Sequence, residues 1–260
     1  MDKRYIFRGN AVGVAGHITK PDDSIIWVQG ASSLPVIGGY SLSSAERARF
    51  GEVLAFDNVM TRATGDYSVK EKAYKTLANS IVKGLHVTAH LSADALEATL
   101  TATHPETGGE SSISLAGTRI SNLRIDGYPI YVTIDTDLCG KYTTRKSLAD
   151  AYATDDDFFK RYLNRFLLPD NVKPDPKNRR IPETGGYIVC SIVSEVRTDH
   201  PKIVVDGHVL TLEGFGRIFL GELLIGSQSR RLTLLRLKLG SPIVGEIACA
   251  EVEGNGTIIL

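Results

Sequence analysis

Apolar and polar residues alternate along most of this chain, and a period of two predicts strands. Residues 5–19 carry three glycines among small side chains, Pro21-Asp22-Asp23-Ser24 reads as a turn, and Ile25-Ile26-Trp27-Val28 resumes the apolar pattern. Pro35 and Gly38-Gly39 mark a loop. LHVTAHL at 85–91 and ALEATLTAT at 95–103 alternate cleanly. Asp126-Gly127 is a two-residue turn signal between Leu123-Arg124-Ile125 and residues 128–134, which predicts a hairpin. Pro129 has no backbone donor and puts that arm at an edge. A second pair, Asp206-Gly207, joins 203–205 to 208–212, and 216–225, 231–239 and 243–252 follow as closely spaced strands. Within 231–239 the alternation slips: Leu232 and Leu234 keep one phase, and Leu235, Leu237 and Leu239 the other. A one-residue slip turns every later side chain to the opposite face, so a β-bulge is predicted near Leu234-Leu235.

Two segments carry a helical period instead. Ser68-Val69-Lys70-Glu71 has the capping-box pattern, Ala73, Leu77 and Ile81 with Tyr74 and Ala78 share one helical face, and Gly84 can stop the run; a helix is predicted over 68–83. A second is predicted over 154–168, where Asp155-Asp156-Asp157 complement the helix dipole, Phe158, Phe159, Tyr162, Leu163 and Phe166 form the stripe, and Pro169 ends it. Residues 169–186 hold four prolines, several charges and Gly185-Gly186, which reads either as a surface loop or as a place where the chain divides. The expected fold is mainly β: an antiparallel β-sandwich or barrel-like assembly over residues 1–260, with two packed helices.

Charge and cysteine content then narrow the partners. Lys and Arg total 30 and Asp and Glu total 30, so the net charge is zero, which argues against nucleic acid as a partner. A neutral chain also lacks the self-repulsion that keeps copies apart, which favours homo-oligomers. No run approaches the ~18 apolar residues of a membrane span. The start Met1-Asp2-Lys3-Arg4-Tyr5-Ile6-Phe7-Arg8 is charged with no apolar stretch behind it, so no signal peptide and a cytoplasmic location are expected, with surface association by a non-classical route still open. Cys139, Cys190 and Cys249 are far apart and odd in number, which fits reduced thiols, with one disulfide as the alternative.

The run GLHVTAHLSADALEATLTAT at 84–103, followed by ISNLRIDGYPIYV at 120–132, resembles the repeating core of the choice-of-anchor P family, bacterial β-rich surface proteins of unassigned activity. The segment GRIFLGELLIGSQSRRLTLLRLKLGSPIVG at 216–245 is similar to stretches of bacterial hypothetical proteins. The resemblance implies a β architecture and a bacterial source. The chain departs from that family in showing no leader for export.

Candidate chemistry is sparse. His86 and His90 are four apart, which on an extended strand puts them on one face about 13 Å from each other, too far to share a metal. Helical spacing would suit zinc, but the Glu of an HExxH motif is absent. Asp135-Thr136-Asp137 is a DxD tripeptide of the kind that holds a divalent ion; no βαβ succession or phosphate loop surrounds it, and plain loop residues are the alternative. Gly226-Ser227-Gln228-Ser229-Arg230 lacks the last glycine of a nucleophile elbow, and Cys190 reads as strand packing. Glu213 and Glu222 would serve glycoside hydrolysis only if about 5 to 9.5 Å apart. Gly9, Gly13 and Gly16 read as close-approach positions rather than a dinucleotide fingerprint. Arg230, Arg231, Arg236 and Lys238 form the densest basic cluster, suited to an anionic glycan or an acidic surface, or else to guarding an edge strand. Trp27, Tyr40, Tyr128 and Tyr131 can stack on sugars or pack at a rim. No motif asks for a cofactor. The leading expectation is a non-enzymatic structural or interaction protein acting through homo-oligomeric β contacts, with residues 5–19 and 256–260 as docked or exchanged strands. The alternatives are a carbohydrate- or ligand-binding β module, and a metal-assisted hydrolase with its site in residues 135–146.

Overall fold

The computed structural model describes residues 4–136, 138–162, 165, 177, 179–181, 183–226 and 229–259. Its first strands are β1 (Arg4–Lys20), β2 (Ser24–Ser33), β3 (Gly39–Phe50), β4 (Leu54–Ser68), β5 (Ala73–Val87) and β6 (Leu91–Pro105). The short strands β7 (Ser112–Ser114), β8 (Arg119–Ser121), β9 (Arg124–Ile125), β10 (Tyr128–Pro129) and β11 (Tyr131–Ile134) lead into α1 (Leu138–Lys141), α2 (Arg145–Thr154) and α3 (Asp156–Tyr162). Then come β12 (Glu183–Thr184), β13 (Tyr187–Ser191), β14 (Val193–Arg197), β15 (Ile203–Asp206), β16 (Val209–Leu212), β17 (Gly216–Ile225), β18 (Arg230–Leu239) and β19 (Val244–Ile259). One sheet has the order β12-β13-β17-β18-β19-β1-β2 with the β15–β16 hairpin beside β17, and the other has β10-β9-β6-β5-β4-β3 with β7 and β8 beside β6. β1 and β19 of the first lie over β4, β5 and β6 of the second, and neither sheet closes into a barrel. The fold is a mainly β, sandwich-like one. No helix among the described residues is long and apolar enough to cross a membrane.

The inward-facing pattern slips by one residue in strand after strand. β4 buries Leu54 and Phe56, then Val59, Thr61 and Ala63; β5 buries Ala78, Ser80 and Val82, then Leu85 and Val87. β6 buries Leu91 and Ala93, then Leu96 and Ala98, while β19 buries Ile247 and Cys249, then Ala250 and Val252. The slip expected at Leu234-Leu235 is there, yet the pairing around it stays one to one. Thr233 faces Glu251 and Glu222, and Leu235 faces Cys249 and Leu220. A β-bulge sets two residues against one; here neighbouring strands slip together and none is left over. The slips line up as a crease across each sheet. One crease runs through Gly30, Gly13, Ala250, Leu234 and Gly221, the other through Arg47, Asp57, Gly84, Asp94 and Asn122. Alternate members are left-handed, with φ of +64° at Gly30, +54° at Ala250, +62° at Gly221, +44° at Arg47, +61° at Gly84 and +49° at Asn122.

The creases interlock. Gly13 and Gly30 leave a hollow that Val59 of the opposing sheet fills, so that a Cβ on Gly13 would lie 2.0 Å from Val59 Cγ1. On one side of the creases the sheets meet through small residues such as Gly9, Ala11, Thr76, Ala78, Ser80 and Ala98. There they bond directly: Ser80 Oγ donates to the Val12 carbonyl at 2.8 Å and Thr76 Oγ1 to the Asn255 carbonyl at 3.2 Å. On the other side Ile18, Ile26, Leu54, Phe56, Leu85, Leu237 and Ile247 are buried between the sheets.

The helix expected over 68–83 does not form. Residues 69–72 are a turn with Lys72 left-handed at φ +49°, and the residues after them are β5. The local signals are real but shared: the Glu71 N–H does donate to Ser68 Oγ at 3.3 Å, and a turn uses that bond as well as a helix cap does. Flanked by β4 and β6, the segment buries Thr76, Ala78 and Ser80 at the strand period and leaves Leu77 and Ile81 half-buried outside. The strand expected over 85–91 is likewise broken by a turn at 88–90. The second expected helix is present as α3, begun by Asp155, whose Oδ1 accepts the Phe158 N–H at 2.9 Å. Residues 163–164 and 166–168 of that expectation, and most of the 169–186 loop, lie outside the described residues. Within the chain the terminal strands dock on each other: β1 and β19 pair from Arg4↔Ile259 to Lys20↔Val244.

Gly13 itself has no left-handed φ, so an alanine there fails for steric reasons alone. Gly13→Ala is expected to cost about 2–3 kcal/mol in urea unfolding, as overpacking of a filled interface does; a change below about 0.5 kcal/mol would show that the creases do not interlock as described.

Candidate functional site

β2 and β3 each end their sheet, so two unpaired edges stand side by side on one wall of the sandwich. Several of their outward positions are apolar, while Ser44, Glu46, Arg47 and Arg49 are also exposed on β3. Ile25, Trp27 and Val28 on β2, Val36 and Ile37 on the connection, and Tyr40 and Leu42 on β3 are all exposed, Trp27 at 72% and Ile37 at 86%. β2 pairs with β1 through Val14↔Gln29 and then Gly16↔Ile26, a bulge that turns both Trp27 and Val28 outward. β3 runs against β4 in one unbroken register from Gly39↔Gly65 to Phe50↔Leu54. It is a long edge with no proline, and edges of that kind are normally blunted or covered.

The basic cluster of β18 is divided between the two faces of its sheet. Arg230 is fully buried, bonded to the Gly226 carbonyl and, at 2.5 Å, to Glu110 Oε1. Glu110 also accepts the Arg145 and Lys146 N–H groups at the start of α2, so it holds the positive end of that helix dipole. Arg236 makes a bidentate pair with Glu222 at 2.6 and 2.8 Å over the Phe219 ring, and this bond to Glu222, opposed by burial, raises its pKa. Arg231 pairs with Glu251 and Glu253, and Lys238 lies exposed opposite Glu246. The cluster is thus a cross-strand ladder of opposite charges rather than an open cationic face. Nothing placed Glu110 or Glu251 beside these arginines in the sequence, since their partners are distant in the chain.

The aromatics expected to stack on sugars are spread out. Trp27 belongs to the edge, Tyr128 packs edge-on against His200 with ring centroids 4.8 Å apart, and Tyr131 lines a shallow cleft with Arg197, Thr198, Asp199 and Val205. His86 is exposed on β5, whereas His90 sits in the following turn, so the two do not share a strand. His90 Nδ1 instead meets Asp126 Oδ1 at 2.6 Å, and His200 Nε2 meets Asp126 Oδ2 at 3.1 Å. Burial alone would raise the Asp126 carboxyl; the bonds from His90 and His200 outweigh it and hold it below the usual carboxylate value. Asp126 was visible only as a turn residue, and it is indeed left-handed at φ +49° with Gly127 at +78°. Among the described residues, no three of His, Cys, Asp and Glu converge as a metal site would require. Cys190 and Cys249 are buried, and burial pushes the Cys249 thiol up to about 12.

Asp135 is buried with both oxygens engaged: Oδ1 accepts the Leu138 N–H at 3.1 Å, and Oδ2 accepts Tyr162 Oη at 2.8 Å and Arg165 Nη1 at 2.9 Å. It pins the helical segment to β11, while Asp137 lies outside the described residues. Desolvation raises its carboxyl, and the Tyr162 and Arg165 bonds outweigh that to leave it below the ordinary value. A depressed folded value adds stability above the unfolded pKa of about 3.9, and that stability is lost as pH falls through the folded value. Asp135→Ala is expected to cost about 3 kcal/mol at neutral pH, because Arg165, largely shielded from water, loses its carboxylate partner. Asp135→Asn should flatten the fall of stability below about pH 4 in acid unfolding; a slope equal to that of the unaltered protein would contradict the pairing.

No curated protein and no solved structure matches the chain, and no named relative supports the resemblance to the choice-of-anchor P family. A model of a domain of unknown function, DUF8256, matches residues 5–226, well over half of the sequence, and the chain belongs to that family.

Proposed function

We propose that this protein is an interaction module that associates with copies of itself through the β2–β3 wall. The observation that carries the reading is the pair of unpaired edges bearing Trp27, Ile37, Tyr40 and Leu42 in the open. An edge strand offers a row of N–H and C=O groups that an incoming strand completes, and exposed apolar side chains around it supply the burial that backbone bonds alone do not. A second copy suits this wall on charge as well. β3 carries Glu46 beside Arg47, so two antiparallel copies can set acid against base, and zero net charge leaves little repulsion to overcome. The neutral ladder on β18 and the scattered aromatics favour this reading over a glycan site, and the engaged oxygens of Asp135 favour it over a metal-assisted hydrolase.

The test is solution mass by light scattering on a sizing column, for the unaltered protein and for Trp27→Lys with Leu42→Lys. The unaltered protein is expected above its 28.2 kDa chain mass, and the double variant at that mass with an unchanged melting temperature. A monomer at about 100 μM unaltered protein, roughly a hundred-thousand times the Kd of a nanomolar interface, would overturn the proposal.

A further inference from the structure

One end of the sandwich holds a cleft of about 340 Å³ between the turns of the two sheets. Its walls are Phe215, Leu239, Pro242, Ile243 and Ala89, with Gly214 and Gly240 between them, and its polar groups are Glu52, Thr88 and His90. A mostly apolar concavity of this size with a few convergent polar groups is the usual form of a small-molecule site.

Three independent features show that the polar end is built. The first is the chain of hydrogen bonds that sets the His90 tautomer. His200 Nδ1 accepts the Lys202 N–H at 3.1 Å, so in the neutral ring the proton is on Nε2 and is donated to Asp126. Asp126 takes a second proton donor from His90 Nδ1, so in the neutral ring His90 Nε2 is an acceptor, with no hydrogen bond from the described residues. The second is the wall that orients the ring: His90 stands edge-on to Phe215 at 5.6 Å between centroids. The third is Thr88, a β-branched residue at φ +51° on the cleft wall, whose Oγ1 accepts the His90 N–H at 3.3 Å. Such a residue is strained in the left-handed region, and strain of that kind persists where the surroundings enforce it.

We infer that this cleft binds a small molecule with a flat apolar body and an amine or other N–H donor at one end, the body against Phe215 and Leu239 and the donor on His90 Nε2. Glu52 at the rim adds a negative charge that favours an ammonium over a carboxylate head. Glu52 is itself paired with Arg49 at 2.7 Å across an exposed contact, which water screens, so its pull on the ligand is the weaker of the two. His90 is a binding residue here; Asp126 and His200 position it.

The probes are phenethylamine and its apolar isostere n-propylbenzene, with 3-phenylpropionate as the oppositely charged control, followed by protein-observed NMR. Phenethylamine is expected to bind at millimolar concentration and to shift the resonances of residues 88–90 and 214–215, more tightly than the isostere and with no shift from the carboxylate. His90→Phe keeps the ring and removes the acceptor, and should weaken phenethylamine about fivefold while leaving n-propylbenzene unchanged. Ala89→Phe, on an exposed turn, should block both compounds without changing the fold. Saturable binding of neither compound up to about 10 mM would overturn the site. Equal affinity for amine and isostere, unaltered by His90→Phe, would overturn the role of His90.

Discussion

The shared slip of the strands is the constraint on which the rest of this molecule depends. A single strand that gains a residue bulges, and the strain is local. When every strand of a sheet gains one at the same level, the pairing survives and the sheet folds along a line instead. Each line needs residues that tolerate a left-handed backbone at alternate strands, and glycine supplies it at Gly30, Gly221 and Gly84. The opposing sheet must follow the fold, which it does through Val59 in the hollow above Gly13. The cleft lined by Phe215 and Leu239 opens among the turns at one end of the sandwich.

Charge is used in the same economical way. Arg230 ties a strand to the start of a helix through Glu110, Asp135 ties α1 and α3 to a strand end, and Glu222 holds Arg236 flat on Phe219. Each of these pairs is partly or wholly desolvated and satisfied by further hydrogen bonds, the condition under which a buried charge is tolerated. An equal number of acids and bases is therefore more than a composition figure. Many of those charges are already matched within the fold, and the β2–β3 wall carries several of the exposed apolar side chains.

Much of the β architecture was legible in the sequence because its signals are local. The two Asp-Gly turns close the hairpins β9–β10 and β15–β16, although of the arm expected over 128–134 only Tyr128 and Pro129 pair back and β11 turns to β14; the phase change between Leu234 and Leu235 is where the alternation broke. What misled was also local. Ser68 and Glu71 make the bond that a helix cap would make, and only the distant neighbours β4 and β6 decide that Ala73 onward is extended. α2 was missed because its buried residues, Leu148, Ala151 and Tyr152, are too few to print a stripe. The grouping of His90, Asp126 and His200 joins three turns far apart in the chain, and no spacing rule reaches across such distances.

The pairing of β1 with β19 has a kinetic consequence. These two strands sit side by side in the middle of the larger sheet, yet one is near the beginning of the sequence and the other near its end. Synthesis therefore delivers β1 long before its partner exists, and until then it has only the short pairing with β2 to occupy it. Contacts of such long sequence separation make folding slow, and they leave strand edges bare while it proceeds. The smaller sheet, whose strands β3 to β6 pair each with the next along the chain, can form first and offer its inner face as a template. The order of assembly is thus written into the topology, with the local meander first and the closure of the long-range seam as the step that waits for β19.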